Sequence, residues 1–251
     1  MAEAEFSGKV ALVTGGASGI GAEICRLLAD RGAMVAVTDR DAEAARALAA
    51  ELSGRGAAAM GLGMDVTDPD AVLDAVARVT DRFGGLRICA NNAGIVTARQ
   101  ELALLSRSDW GRQIAVNLTG IFHCLQAEIP ALIASGGGAI VNTASICGLV
   151  GVPGTAAYAA AKHGVVGLTR VAALDYATRN IRVNALAPGY VDTPLIADRP
   201  AEERATIAAR HPVERMARAR EIAEAACYLL SDRASFVTGT VLAADGGYTA
   251  R

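Results

Sequence analysis

The chain has 251 residues, room for one large domain or two small ones, and it is 52% apolar but only 4% aromatic, a composition suited to helices lying close against a sheet. A formal net charge of −2 without any block of Lys or Arg excludes the electrostatic footprint of a nucleic-acid binder and points to small-molecule partners. Cys25, Cys89, Cys124, Cys147 and Cys227 are odd in number and scattered without a CxxC pair, as are the three histidines, so no disulfide framework or metal site is expected and the thiols suit a cytoplasmic compartment.

Residues 1–7 carry acidic side chains and no apolar run, so no secretory signal is expected there. Residues 9–14 read as a short buried strand, followed at once by glycines and an amphipathic helix over Gly19–Asp30. Met34–Asp39 is the next strand, 42–52 the next helix and 57–64 a third strand, after which Asp68-Pro69 has the chemistry of a helix start. A strand is predicted at 87–91, a long helix capped by Ser108 and reaching about residue 133, a strand at 139–143, a helix over 156–178 and a strand at 182–187. Residues 129–161 lack any charge, which raises the question of a membrane span, but glycines at 136–138, 148 and 151 and Pro153-Gly154 divide the stretch into buried elements joined by turns, so no membrane partner is expected. The segment 193–217 breaks the rhythm with Pro194, Pro200, Pro212 and many charges, and reads as an irregular surface excursion, a lid. A helix at 220–231 and a strand over Val241–Ala244 complete the chain. Regular alternation without linker or repeat predicts a single α/β domain, a doubly wound Rossmann-type parallel sheet with helices on both faces.

Thr14-Gly15-Gly16-Ala17-Ser18-Gly19-Ile20-Gly21 stands between the first strand and first helix. Glycines there let the backbone turn sharply and let a pyrophosphate approach free N–H groups at the positive end of the helix; a plain tight turn is the alternative. Asp39, at the end of the second strand, can accept hydrogen bonds from adenosine ribose hydroxyls and would repel a 2′-phosphate, so NAD is the expected cofactor, although Arg40 beside it could meet that phosphate. Tyr158 and Lys162 are four apart on a predicted helix and share a face. A phenol with an unperturbed pKa of about 10 is a poor base at neutral pH, and a neighbouring ammonium would lower it.

These motifs, with Asn91-Asn92-Ala93-Gly94, Asn117, Ser145, Tyr158-Ala159-Ala160-Ala161-Lys162 and Pro188-Gly189 through Thr193 in that order, resemble those of the short-chain dehydrogenase/reductase family over nearly the whole chain. The resemblance implies an NAD-dependent oxidoreductase that moves a hydride between the cofactor and a secondary alcohol or ketone. It casts Tyr158 as general acid/base, Lys162 as its partner and a ligand of the nicotinamide ribose, Ser145 as holder of the substrate oxygen, and Asn117 as support for a proton-relay water. It implies cofactor contacts from Gly15, Ser18, Gly19, Ile20, Gly21, Asp39, Arg40, Asp65, Val66, Asn92, Ala93, Gly94, Pro188, Gly189, Val191 and Thr193. For Asp65 a capping role stays open, and Asn92, Ala93 and Gly94 may equally shape the strand end. Cys147, the Val152 to Thr155 turn and Tyr190 are expected to line the substrate beside Ser145 and Tyr158, and a homotetramer is implied. Two alternatives carry less weight. A 3-oxoacyl thioester reductase would use basic residues on the Tyr-bearing helix, where Arg170 stands alone between Lys162 and Arg179. A catalytically idle dinucleotide-binding regulator commonly lacks the Tyr or Lys that are present here.

Overall fold

The computed structural model describes residues 4–197 and 199–250; the extreme ends of the acidic N-terminal stretch and of the tail, and residue 198 of the excursion, lie outside them. The strands β1 (Val10–Thr14), β2 (Met34–Asp39), β3 (Ala59–Gly63), β4 (Ile88–Asn91), β5 (Gly138–Thr143), β6 (Ile181–Pro188) and, at the C-terminal edge, β9 (Val241–Ala244) form one parallel sheet in the order β3-β2-β1-β4-β5-β6-β9. Between Val191–Asp192 (β7) and Ala217–Arg218 (β8) runs a second, two-stranded parallel ladder.

Because side chains alternate along a strand, β1 sends Val10 and Leu12 into one hydrophobic cluster and Ala11 and Val13 into another. That double burial is why it reads as an unbroken apolar run. The first cluster takes Val72 and Val79 of α3 (Pro69–Phe83), Ile121 and Leu132 of α5 (Gly120–Ala134) and Val165 of α6 (Ala156–Tyr176). The second takes Ile24 and Leu28 of α1 (Gly19–Asp30), Leu48 and Leu52 of α2 (Ala42–Gly54) and Ile222 and Leu229 of α9 (Ala219–Leu230). Full burial of each such side chain contributes about 1.5–3 kcal/mol, and the two clusters clamp the sheet from both faces.

Local chemistry sets the helix ends. Asp68 accepts the N–H groups of Asp70 at 3.0 Å and Ala71 at 3.3 Å with Pro69 in the first turn, and Gly84 closes α3 at φ 83°. The long helix predicted from Ser108 needs correction in two places. It starts as α4 (Arg107–Ile114), capped two residues earlier by Ser106, whose Oγ accepts the Asp109 N–H at 3.0 Å and donates to Asp109 Oδ2 at 3.0 Å. A π-turn at Ala115–Thr119 then interrupts it before α5. The run Arg107–Ala134 is apolar and long enough to cross a membrane, yet half of its apolar window is buried in the fold, with α5 against α3 and α4 against α6. The uncharged stretch 129–161 divides as expected, into the end of α5, β5, a turn and the start of α6.

The excursion is more ordered than its prolines suggest. It holds α7 (Pro194–Ala197) and α8 (Ala201–Ala209), the latter starting directly after Pro200 with Glu202 and Glu203 at its positive end. Its two ends are joined by the β7–β8 ladder.

Candidate active site

The loops leaving the C-terminal ends of the strands enclose a cavity of about 500 Å³, at the point where the strand order reverses between β1 and β4. β1 ends at Thr14, and Gly15 takes φ 59°, a left-handed conformation that glycine adopts without strain. A Cβ on Gly21 would fall 2.1 Å from the Gly15 carbonyl oxygen, so the first turn of α1 lies directly on the loop. Ser18, at the N-cap, makes no capping bond through its side chain, and no acid stands in the first turn, which leaves the amide end of α1 to an anion. Gly15, Ser18, Gly19 and Ile20 face the cavity, whereas Gly21 is buried beneath them.

Asp39 and Arg40 line the next stretch of wall. The Asp39 carboxylate accepts the N–H of Ala17 at 3.2 Å through Oδ2 and that of Asp41 at 3.1 Å through Oδ1, so it steadies the glycine loop and keeps lone pairs for a ligand. Asp65 and Val66 follow on the same wall. Asp65 Oδ1 accepts the backbone N–H of Thr67 at 2.9 Å and its hydroxyl at 2.8 Å, bonds that hold the carboxyl below its ordinary range, so it does shape a turn. Asn92 donates to the carbonyls of Thr14 at 3.3 Å and Gly15 at 3.1 Å, and the backbone N–H groups of Asn92 and Ala93 each meet Thr14 Oγ1 at 3.0 Å. Those two residues therefore weld the end of β4 to the end of β1 while bordering the cavity with Gly94. Free amides, absent side chains and a carboxylate beyond them fit a dinucleotide. At the far end Thr143 Oγ1 is buried without a partner among the described residues, a second place for a ligand's polar atom.

At that far end Ser145, Cys147, Tyr158 and Lys162 converge. Ser145 opens a short turn at Ile146–Gly148 and its Oγ accepts the Cys147 N–H at 3.2 Å. Lys162 lies one helical turn beyond Tyr158, its Nζ 5.7 Å from the centre of the phenol ring. Burial draws its ammonium down to about 8, and Nζ donates to the Thr143 carbonyl at 2.6 Å. The phenol differs from expectation: burial pushes Tyr158 up, Cys147 adds to the shift, and the neighbour that favours the ionised form is the Ser145 hydroxyl.

Asn117 does not reach the cavity. It sits fully buried in the π-turn, its Oδ1 accepting the Ile95 N–H at 3.0 Å and its Nδ2 donating to the Ile95 carbonyl at 2.9 Å. Pro188, Gly189, Tyr190, Val191 and Thr193 border the opening. His211, brought back by the excursion and buried, accepts the Tyr190 N–H at 3.1 Å through Nε2 and so anchors the excursion to this rim. Val152, expected on the wall, is buried behind it among Ile146, Cys147, Tyr158 and Tyr190. Thr155, at the end of the turn expected to line the substrate, does line the cavity, whereas sequence reasoning missed Thr143, Ile196 and Arg99. Thr143 carried a usable signal as the last residue of a predicted parallel strand; Arg99 lies in a segment without a motif.

Residues 15–249 match a family model described as enoyl-(acyl carrier protein) reductase. A cis-4-hydroxycyclohexanecarboxylate dehydrogenase from Sinomonas cyclohexanicum is 50% identical over 98% of each chain. A cyclohexanol dehydrogenase from Acinetobacter sp. (strain SE19) is 44% identical over 98% of this chain and 97% of its own. The crystal structure of a short-chain type dehydrogenase/reductase from Mycobacterium marinum superposes with a TM-score of 0.94 at 36% identity, covering 99% of this chain and 98% of the other. With glycine loop, strand order and the Ser145, Tyr158, Lys162 grouping in agreement, the chain belongs to the short-chain dehydrogenase/reductase family.

Proposed function

We propose that the protein is an NAD-dependent oxidoreductase that interconverts a secondary alcohol on a carbon ring and the corresponding ketone, with Tyr158 as general acid/base. The observation that carries this reading is the meeting of Ser145, Tyr158 and Lys162 at one end of a cleft whose other end is built from a glycine loop and Asp39. The ring alcohol is suggested by the two dehydrogenases of cyclohexane derivatives among the relatives.

A bound nicotinamide supplies the two-electron acceptor or donor. Gly15, Ser18, Gly19 and Ile20 would hold the pyrophosphate, Asp39 the adenosine ribose, Asp65 and Val66 the adenine, and Lys162, Pro188, Gly189, Val191 and Thr193 the nicotinamide half. Ser145 orients the substrate oxygen; the Tyr158 phenolate takes the alcohol proton in oxidation, and the resulting phenol returns it in reduction. Lys162 is poised to favour the phenolate once a ligand draws Nζ off the Thr143 carbonyl. Asn117 acts by fixing the loop at Ile95 that borders Lys162. The segment 193–217 closes over the substrate as a lid hinged at the β7–β8 ladder. The protomer works in the cytoplasm as part of a homotetramer.

Preference for NAD over NADP follows from Asp39, because a 2′-phosphate there would bring like charges together, while Arg40 is exposed and can turn to solvent. Steady-state kinetics on cyclohexanol test the whole reading. Tyr158→Phe should lower kcat by about 10²–10⁴-fold, the usual worth of a positioned proton donor, with cofactor affinity nearly intact. NAD should exceed NADP about 10- to 100-fold in kcat/KM. Wild-type kcat in the variant would remove Tyr158 from the chemistry, and equal use of NADP would show that Arg40 governs the pocket.

A further inference from the structure

Among the described residues two acids line the cleft, Asp39 and Asp65, both at its ribose and adenine end. Four cations among the described residues line it. Arg40 stands beside those acids, Lys162 is bonded to Thr143, and Arg199 is paired with Glu203. Arg99, the fourth, takes part in no ion pair among the described residues, and its guanidinium donates to the phenol oxygen of Tyr190 at the Ser145 end.

Arg99 is held where it is. The segment carrying it is tied at Ile95 by both groups of the Asn117 carboxamide, at Thr97 by Gln113 Nε2 at 2.8 Å, and at Gln100 by a backbone bond to the Gly154 carbonyl at 3.1 Å. Arg99 and Tyr158 both lie close enough to Cys147 to interact with it electrostatically, so the cation and the phenol flank one stretch of wall. Ile146 and Cys147 make that stretch largely apolar. A guanidinium carries five N–H donors in a planar fork that matches a carboxylate, and one contact to Tyr190 leaves most of them available.

We propose that Arg99 determines specificity by gripping a carboxylate on the substrate, so that the substrate class is a hydroxy acid whose hydroxyl faces Ser145 and Tyr158 while an apolar frame spans to the anion. The hydroxyl end rests on the oxidoreductase reading above; the anion end does not.

Binding without turnover separates the two. Calorimetric titration with cyclohexanecarboxylate and with its neutral analogue cyclohexanecarboxamide should give a Kd about 10- to 100-fold lower for the acid, as expected of a charge-assisted fork. In Arg99→Ala that ratio should fall to about threefold or less, and Arg99→Lys should keep part of it. Equal affinities in the unmodified protein, or an acid preference that survives in Arg99→Ala, would overturn the assignment. In parallel, the ratio of kcat/KM for 4-hydroxycyclohexanecarboxylate to that for cyclohexanol should collapse in Arg99→Ala. Should neither alcohol reduce NAD while the Arg99-dependent difference in Kd persists, the oxidoreductase reading fails and the carboxylate grip stands.

Discussion

Glu128 lies in the interior of α5 with no exposure to solvent. Its Oε2 accepts from Asn91 Nδ2 at 3.0 Å; the same amide donates to Asn142 Oδ1 at 3.0 Å, and Asn142 Nδ2 donates to Thr169 Oγ1 at 3.0 Å. The network ties α5 to β4, β5 and α6. Desolvation pushes the carboxyl up from 4.5 to about 7, against the pull of Asn91. A folded-state pKa above the unfolded one means that the native protein binds the extra proton, so this stabilisation is complete below about 4.5 and is lost as pH rises through about 7. Between pH 5 and 8 the residue should remove on the order of 2–3 kcal/mol of stability. Glu128→Gln keeps an acceptor for Asn91 without the charge, and urea unfolding at the two pH values should show the fall in the unmodified protein and little of it in the variant. Equal falls would mean that the carboxyl is not the titrating group. Neither Glu128 nor Arg99 was legible in the sequence: each is a single charge in a segment without a motif, and only folding sets one against the core and the other beside Tyr190. Helical spacing put Tyr158 and Lys162 on one face, and the motifs around them, taken in order, marked the pair as a candidate site.

The π-turn at Ala115–Thr119 shows where elements stop being readable. Hydrophobic periodicity marks the helix on either side, but one extra residue per turn leaves almost no trace in a polar-to-apolar pattern, and the competing serines at 106 and 108 obscured its start. The turn directs Asn117 inward onto Ile95, a backbone position whose N–H and C=O have no other partner among the described residues. Asn117→Ala should therefore cost about 1–3 kcal/mol, which for a domain of this size lowers Tm by roughly 2–12 °C. It should also lower kcat/KM, since the loop it holds lines the cleft next to Lys162. Calorimetry and kinetics on the variant check both, and an unchanged Tm would deny the turn its anchoring role. The excursion was misread for a related reason: Pro194 and Pro200 lie at the starts of α7 and α8, positions that favour helix, and Pro212 lies beyond α8, so none falls inside a helix.

For the molecule as a whole, alternation of strand and helix was sufficient to predict parallel pairing and helices on two faces, but not the strand order. Nothing local in the β3 to β4 segment says that β4 crosses to the far side of β1, and the cleft exists because it does. The helices on the α4, α5 and α6 side also leave Trp110, Phe122, Val171 and Leu174 exposed, an apolar display that subunit contact would cover. Light scattering at micromolar concentration should give the mass of four chains, Leu174→Asp should shift the population to smaller species, and a single-chain mass in the unmodified protein would refute the tetramer. The sheet order has one more consequence. Parallel neighbours cannot be joined by hairpins, so Ala11 must wait for Ile88, and Ala185 for Val241, before their ladders can form. As the chain leaves the ribosome, the glycine loop and Asp39 are therefore complete, and pairable with β4, well before Tyr158 and Lys162 have been synthesised. The order of synthesis builds the glycine-loop end of the cleft first and the Tyr158 end second.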